Sequence, residues 1–381
     1  MENNYFVYKG KKYIIKYNDK DINIYVFNNN IIQEASLEEK QEIKEILNSK
    51  CNYVYDSTIL NDLVSANPQI ECKEYVMNFL NWLEGIIPED CRYNFYKNVE
   101  TLQTTLNITP SKVDDHSIEH ETVAGYNTKK NNITINKESL QELWEISQLT
   151  SNPKDFYFRQ YSQTLLHELS HMASSNYDSE TKTSLCGFDK FPPDNESEKN
   201  RGLTEGYTEI LSMAGVPGTI EISSGYYIEA VLINQLILLV GNEIFARSYF
   251  LNLGTTPIQN KLNEIINNPI MSYNLFRSIE LNYSIKNLNE EQNVLGNIQL
   301  MLLDYLDEKL EQLLSDNKIS EIINILINYD WFLIKPDKLK TMKKNPQKFI
   351  GIEESLKRFS IIKEKYQIYL NESIKSTNIK T

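Results

Sequence analysis

Histidine is scarce in this chain, with four residues in 381, and none follows His171. A metal centre built near the last two must therefore draw its remaining protein ligands from carboxylates. Cysteine is equally sparse. Cys51, Cys72, Cys91 and Cys186 stand far apart without C-x-x-C spacing, which excludes a zinc knuckle or a dithiol redox motif and reads as buried free thiols. Positive charge is also in deficit: 39 Lys and Arg against 52 Asp and Glu leave a net charge of -13. That balance excludes nucleic acid as the main partner and any general attraction to anionic membranes, because both need a surplus of basic side chains on one face. Long apolar runs are missing too. The longest, Ala230 to Val240, contains Asn234 and Gln235 and is too short to span a bilayer. The start Met1-Glu2-Asn3-Asn4-Tyr5 has neither a basic nor an apolar segment, so the expected location is cytoplasmic, with leaderless export left open.

What is present is ordinary for a folded chain: 41% hydrophobic and 24% charged residues, at a length that suggests two or three folding units. The predicted class is α+β, divided at 1–106, 107–224 and 225–381. Alternating apolar and polar residues predict a hairpin of Tyr5–Tyr8 with Tyr13–Ile15 and a further strand over Ile22–Phe27. Helical spacing follows at Leu37–Asn48, Glu74–Ile87 and Asp90–Leu106. A strand pair is expected over Thr122–Tyr126 and Ile133–Ile135, then a helix over Lys137–Gln148. Asn152-Pro153 supplies a helix start, with Asn as cap and Pro in the first turn, and that helix should run to about Ser174. Asp178–Asn200 reads as a polar inserted loop. Beyond Gly225 the pattern is almost wholly helical, including a long amphipathic stretch from Glu290 to Leu314.

The chemistry lies in His167-Glu168-Leu169-Ser170-His171. Residues four apart on a helix lie one turn above each other, so His167 and His171 present two imidazoles to one point in space. Glu168, one position round, can reach a water there without being a ligand. Phe158, Tyr161, Leu165, Leu169 and Met172 form an apolar stripe away from the histidine edge. Downstream, Arg201-Gly202-Leu203-Thr204-Glu205-Gly206-Tyr207-Thr208-Glu209 places Glu205 and Glu209 one turn apart, with Gly206 allowing another helix to come close. Glu180, Asp189, Asp194, Glu196 and Glu198 are the competing carboxylates. A second pattern, His116-Ser117-Ile118-Glu119-His120, matches the inverted motif H-x-x-E-H, but its surroundings are almost wholly polar and favour a solvated loop.

The pair of segments, H-E-x-x-H followed by Leu-x-Glu-Gly-x-x-x-Glu, resembles the gluzincin metallopeptidases, the clan that includes thermolysin. The resemblance covers about residues 107–215 and implies a zincin-like core of a small sheet and an active-site helix. It also implies Zn2+ held by His167, His171 and Glu205, with Glu209 supporting a ligand histidine and a strand edge near Ile133–Ile135 receiving a peptide. Thirty-three residues separate His171 from Glu205, more than in many members. The metzincin pattern fails, since Ser174 and Tyr177 stand where it requires Gly and His.

The activity expected from this set is hydrolysis of a peptide or protein substrate through a zinc-bound water, with Glu168 as general base. An oxyanion donor is not supplied by the motifs. Tyr226, after the turn Ser223-Ser224-Gly225, is the first candidate and Tyr227 the second. The alternatives are a zinc-dependent hydrolase of a non-peptide substrate and a non-enzymatic binding protein on a retired peptidase fold. Oligomeric state is not legible.

Overall fold

The structure, a computed structural model, describes residues 4–8, 11–18, 21–28, 31–41, 79–80, 82–92, 94–98, 109–110, 124–135, 142–143, 145–150, 152–192, 200–216, 226–285, 293–341 and 349–369. The His116–His120 segment lies outside them, as do Asp194, Glu196 and Glu198. The helices expected at 37–48, 74–87, 90–106 and 137–148 fall only partly within them, with helical turns at 37–41, 82–86, 94–98 and 145–147. Mostly helical with small sheets, the described residues are compatible with the α+β class.

The chain divides into two compact units. One comprises Met1–Glu196, Ile210–Ile220 and Phe250–Asn252, and the other Ser197–Glu209, Glu221–Tyr249 and Leu253–Thr381. The first begins with β1 (Asn4–Tyr8), β2 (Lys11–Asn18), β3 (Asp21–Asn28) and β4 (Ile31–Glu34), a simple antiparallel meander. The registers pair Tyr8 with Lys11, Asn18 with Asp21 and Asn28 with Ile31 at the strand ends. β4 was not expected from the sequence; the other three strands match the alternating pattern. The helical turn after it opens on a capping box. Ser36 Oγ accepts the Glu39 N–H at 3.2 Å and the Glu39 carboxylate accepts the Ser36 N–H at 3.0 Å.

A second sheet holds β5 (Thr109–Pro110), β6 (Ala124–Asn127) and β7 (Asn132–Ile135) in the order β5-β7-β6. The expected strand pair is present, but β7 is not an edge. Thr134 and Ile135 pair in parallel with Thr109–Pro110 on one side and antiparallel with β6 on the other. Their ladder groups are therefore committed, and no peptide can add along that part of β7.

Helix α1 (Pro153–Ser174) packs against β6. Its bounds match the expectation, with Pro153 in the first turn where a missing N–H costs nothing. Asn152 does not cap it through its side chain. The other end is closed instead by distant asparagines. Asn98 Nδ2 donates to the Met172 and Ser175 carbonyls at 2.8 and 2.5 Å, and Asn252 Nδ2 donates to the Ser174 carbonyl at 2.6 Å. The Met172 carbonyl also accepts the Ser175 N–H at 3.1 Å, and Ser174 and Ser175 lie among the last carbonyls that a helix C-terminus leaves to outside donors.

The polar loop expected over Asp178–Asn200 is a sheet as far as Phe191; residues 193–199 lie outside the described ones. β8 (Asn176–Asp178), β9 (Thr183–Cys186) and β10 (Asp189–Phe191) form an antiparallel three-stranded unit, and β9 packs on α1. The turn between β8 and β9 is tied by Asp178, whose carboxylate accepts the Thr181 hydroxyl and the backbone N–H groups of Glu180 and Thr181. Those bonds, the hydroxyl first, hold its carboxyl below the usual range. Polar composition hides this turn chemistry; Thr183, Cys186 and Asp189 are the buried residues of the strands, and Phe188 is buried in the turn between β9 and β10.

The second unit is helical. α2 (Arg201–Gly215) is shared, because the division between the units falls within it. It is followed by α3 (Tyr227–Val240), α4 (Asn242–Phe250), α5 (Thr256–Ile265), α6 (Pro269–Ser284), α7 (Val294–Ser315), α8 (Ile319–Phe332), α9 (Pro336–Thr341) and α10 (Ile352–Lys365). α3 is apolar around most of its circumference and is the unit's central element, buried against α5, α7 and α8. α7, the amphipathic stretch, adds α6, α8 and α10 around it. Among the described residues no single helix is long and apolar enough to cross a membrane.

Candidate metal centre

α1 brings the two histidines of the motif together. His167 Nε2 and His171 Nε2 lie 3.2 Å apart, with the rings nearly perpendicular at 77°. Two nitrogens bound to one tetrahedral zinc at about 2.0–2.1 Å stand roughly 3.3 Å apart, so the spacing suits a shared metal. Glu205 completes the set. One ligand atom from each of His167, His171 and Glu205 lies within 4.8 Å of the others, and the three could hold a metal ion. Two imidazoles and a carboxylate form a donor set that suits a first-row divalent metal and leaves room for a water or substrate atom.

The histidine edge of α1 is not exposed. His167, Glu168 and His171 are 7%, 7% and 9% accessible, and Tyr161, Leu165, Leu169 and Met172 behind them are fully buried. The apolar stripe is confirmed at these four positions; the Phe158 side chain lies outside the described set. Burial removes water from three ionisable groups at once, which is costly unless they are paired with one another or with a metal.

His171 has a further neighbour that no motif announced. Cys186 Sγ, at the end of β9, lies 3.4 Å from His171 Nδ1 and 3.8 Å from the His171 carbonyl oxygen. Tyr126 on β6 completes this side. It donates to Asn131 Oδ1 at 2.7 Å, and burial, then the proximity of Cys186, pushes its hydroxyl far above the ordinary tyrosine range. The free-thiol expectation holds for Cys186 and Cys91, both buried; Cys51 and Cys72 lie outside the described residues.

Two glycines of α2 fix the position of Glu205. A Cβ at Gly206 would stand 2.8 Å from the Glu229 carbonyl oxygen on α3, so only glycine permits that approach. A Cβ at Gly202 would meet the Ile279 carbonyl at 3.0 Å and Tyr283 Cβ at 3.1 Å on α6. The Gly202 N–H donates to the Glu280 carboxylate at 3.0 Å, placing a negative charge at the positive end of α2. Farther along, the Thr208 hydroxyl bonds the Thr204 carbonyl at 2.7 Å and the Tyr249 hydroxyl at 2.6 Å. Glu205 is half-buried, whereas Glu209 one turn on is 3% accessible. Of the competing carboxylates, Glu180 is exposed and Asp189 buried.

The tyrosine candidates separate. Tyr227 is buried, and its hydroxyl accepts a hydrogen bond from the Lys338 ammonium on α9. Tyr226 is half-exposed and stacks on Tyr283, with ring centroids 6.3 Å apart. Burial, then the nearby Glu205 carboxylate, raises the Tyr283 hydroxyl to about 12. Nothing in the sequence distinguishes Tyr283 among the 24 tyrosines. Compared with known proteins, the chain matches no family model, no curated sequence and no solved structure.

Proposed function

We propose that the chain is a zinc-dependent metallopeptidase with a zincin-like core. The observation that carries this reading is the convergence of His167, His171 and Glu205 within 4.8 Å, joined to a glutamate immediately after the first histidine. His167, His171 and Glu205 would hold the metal. When bound, zinc polarises a carbonyl and brings the pKa of water towards neutrality. Glu168, carried on the same helix and withdrawn from solvent, takes the proton of the attacking water and delivers it to the leaving amine. Tyr226 donates a hydrogen bond to the developing oxyanion, and its stacking on Tyr283 limits the positions its ring can take. Glu209 supports the ligand set from one turn beyond Glu205.

Peptide specificity, as opposed to hydrolysis of another acyl compound, rests on the resemblance to gluzincins. The substrate segment pairs elsewhere than along Thr134–Ile135, whose two sides are already used. Elemental analysis of protein purified without added metal, combined with hydrolysis of a peptide library with and without chelator, tests the proposal. About one zinc per chain and chelator-sensitive cleavage are expected. Full activity in metal-free protein, or zinc without cleavage of any peptide, rejects it.

A further inference from the structure

We propose that Cys186 is a positioning residue for the candidate ligand His171, holding its imidazole in the tautomer that leaves Nε2 free for a metal. The inference rests on the metal reading above and deepens it.

The two nitrogens of the ring lead to this assignment. His171 Nε2 faces His167 Nε2 at 3.2 Å, on the side of the metal group, so on the metal reading it keeps its lone pair. A neutral imidazole has one N–H, which then sits on Nδ1, 3.4 Å from Cys186 Sγ. The sulfur is also 3.8 Å from the His171 carbonyl oxygen, which already accepts the Ser174 and Ser175 hydroxyls at 3.1 and 2.8 Å. The sulfur therefore serves the ring as the acceptor of its Nδ1 hydrogen.

The thiol has little freedom to leave. Cys186 ends β9 and is paired with Asp189 across the tight turn to β10. The Gly187 N–H donates to Ser174 Oγ at 3.1 Å, and Asn252 Nδ2 reaches both the Ser174 and Gly187 carbonyls, at 2.6 and 3.2 Å. The turn after the cysteine is thus fastened to the last turn of α1, three residues beyond His171. Metal-bound histidines ordinarily give their second N–H to a carboxylate or a carbonyl. A thiol is a weaker acceptor, so it orients the ring while lending it less negative charge.

The test uses the full chain. Long-range proton–nitrogen NMR of the imidazoles, tractable with four histidines, reads the His171 tautomer directly in metal-free protein. The parent should show Nδ1–H, and Cys186→Ala should shift His171 towards a mixture. Zinc affinity, measured by competition with a chromophoric chelator, should fall about 10- to 100-fold in Cys186→Ala. Cys186→Ser, which keeps a donor and acceptor, should recover most of it. An Nε2–H tautomer in the parent overturns the proposal even if no variant folds. So does an alanine variant with unchanged tautomer and zinc affinity. A parent that binds no zinc but shows the Cys186-dependent tautomer would reject the metallopeptidase reading and leave the positioning of His171 standing.

Discussion

Gly206 lies so close to the Glu229 carbonyl that a Cβ on it would stand 2.8 Å from that oxygen. The neighbouring residue in sequence is Glu205, so the close approach of α2 to α3 also sets where the candidate third ligand sits. Gly206→Ala should cost about 1–3 kcal/mol, in the range for overpacking a well-filled contact. It should also weaken zinc retention by displacing Glu205. Urea unfolding and metal content check the two effects; a variant as stable and as zinc-loaded as the parent would mean that α2 is not held where the glycine places it.

Removing ligands should grade by role. His167→Ala and His171→Ala should abolish zinc retention and turnover together, and Glu205→Ala should come close to them. Glu209→Ala should cost less than Glu205→Ala, as expected of a supporting group. Equal metal loss at 205 and 209 would undo the assignment of Glu205. Dialysis against a graded series of zinc buffers gives the ranking.

Glu168→Gln should behave differently from all of these. The amide keeps the size of the side chain and removes only the base, so zinc should remain while turnover falls by orders of magnitude. Loss of metal in this variant would place Glu168 among the ligands and not at the reacting water.

Tyr226→Phe keeps the ring stacked on Tyr283 and removes one hydroxyl. Turnover should fall roughly ten- to a thousandfold with zinc and stability intact, the range for one oxyanion donor. Tyr283→Phe is the matching variant. If it alone lowers turnover, the donor is the residue on α6, and if neither does, no tyrosine of this pair serves the reaction.

Tyr305 on α7 carries a hydroxyl without a hydrogen-bond partner among the described residues, and burial raises its pKa to about 12. A tyrosine whose folded pKa lies above the ordinary 10 contributes stability that is complete below pH 10. The contribution is lost as pH rises towards 12. Tyr305→Phe should therefore flatten the fall in stability between pH 10 and 12, and at neutral pH it should be neutral or slightly stabilising. Denaturant titrations at pH 8 and pH 11 on both proteins give the difference; an unchanged alkaline slope would mean that the hydroxyl titrates normally.

The elements legible in the sequence are those whose causes are local. Helix α1 follows from Pro153 in its first turn and the spacing of His167 and His171, whereas Glu205 is marked among the carboxylates by the resemblance of its segment to the gluzincin pattern. Where the cause is tertiary, the chain gave no sign. Asn98 and Asn252 close α1 from far along the sequence, and Cys186 meets His171 only because β9 folds back on the helix. The β8–β10 sheet was hidden differently. Its strands are three or four residues long and rich in Asp, Ser, Thr and Lys, so neither apolar alternation nor length stood out. In the sequence β7 reads as an edge because its partner β5 is a strand of only two residues.

Asn252 also gives the fold a timetable. Its amide fastens Ser174 and Gly187, and its side-chain oxygen accepts from Asn94, 158 positions earlier in the chain. Contacts of such separation carry a large loop-closure entropy and form late. On the ribosome, α1 and its histidines emerge well before the second of the two asparagines that close the helix end. A nascent chain halted ahead of Asn252 would have the Met172 and Ser175 carbonyls within reach of Asn98 but the Ser174 carbonyl still open, so the end of α1 is completed only after about two thirds of the protein has been made.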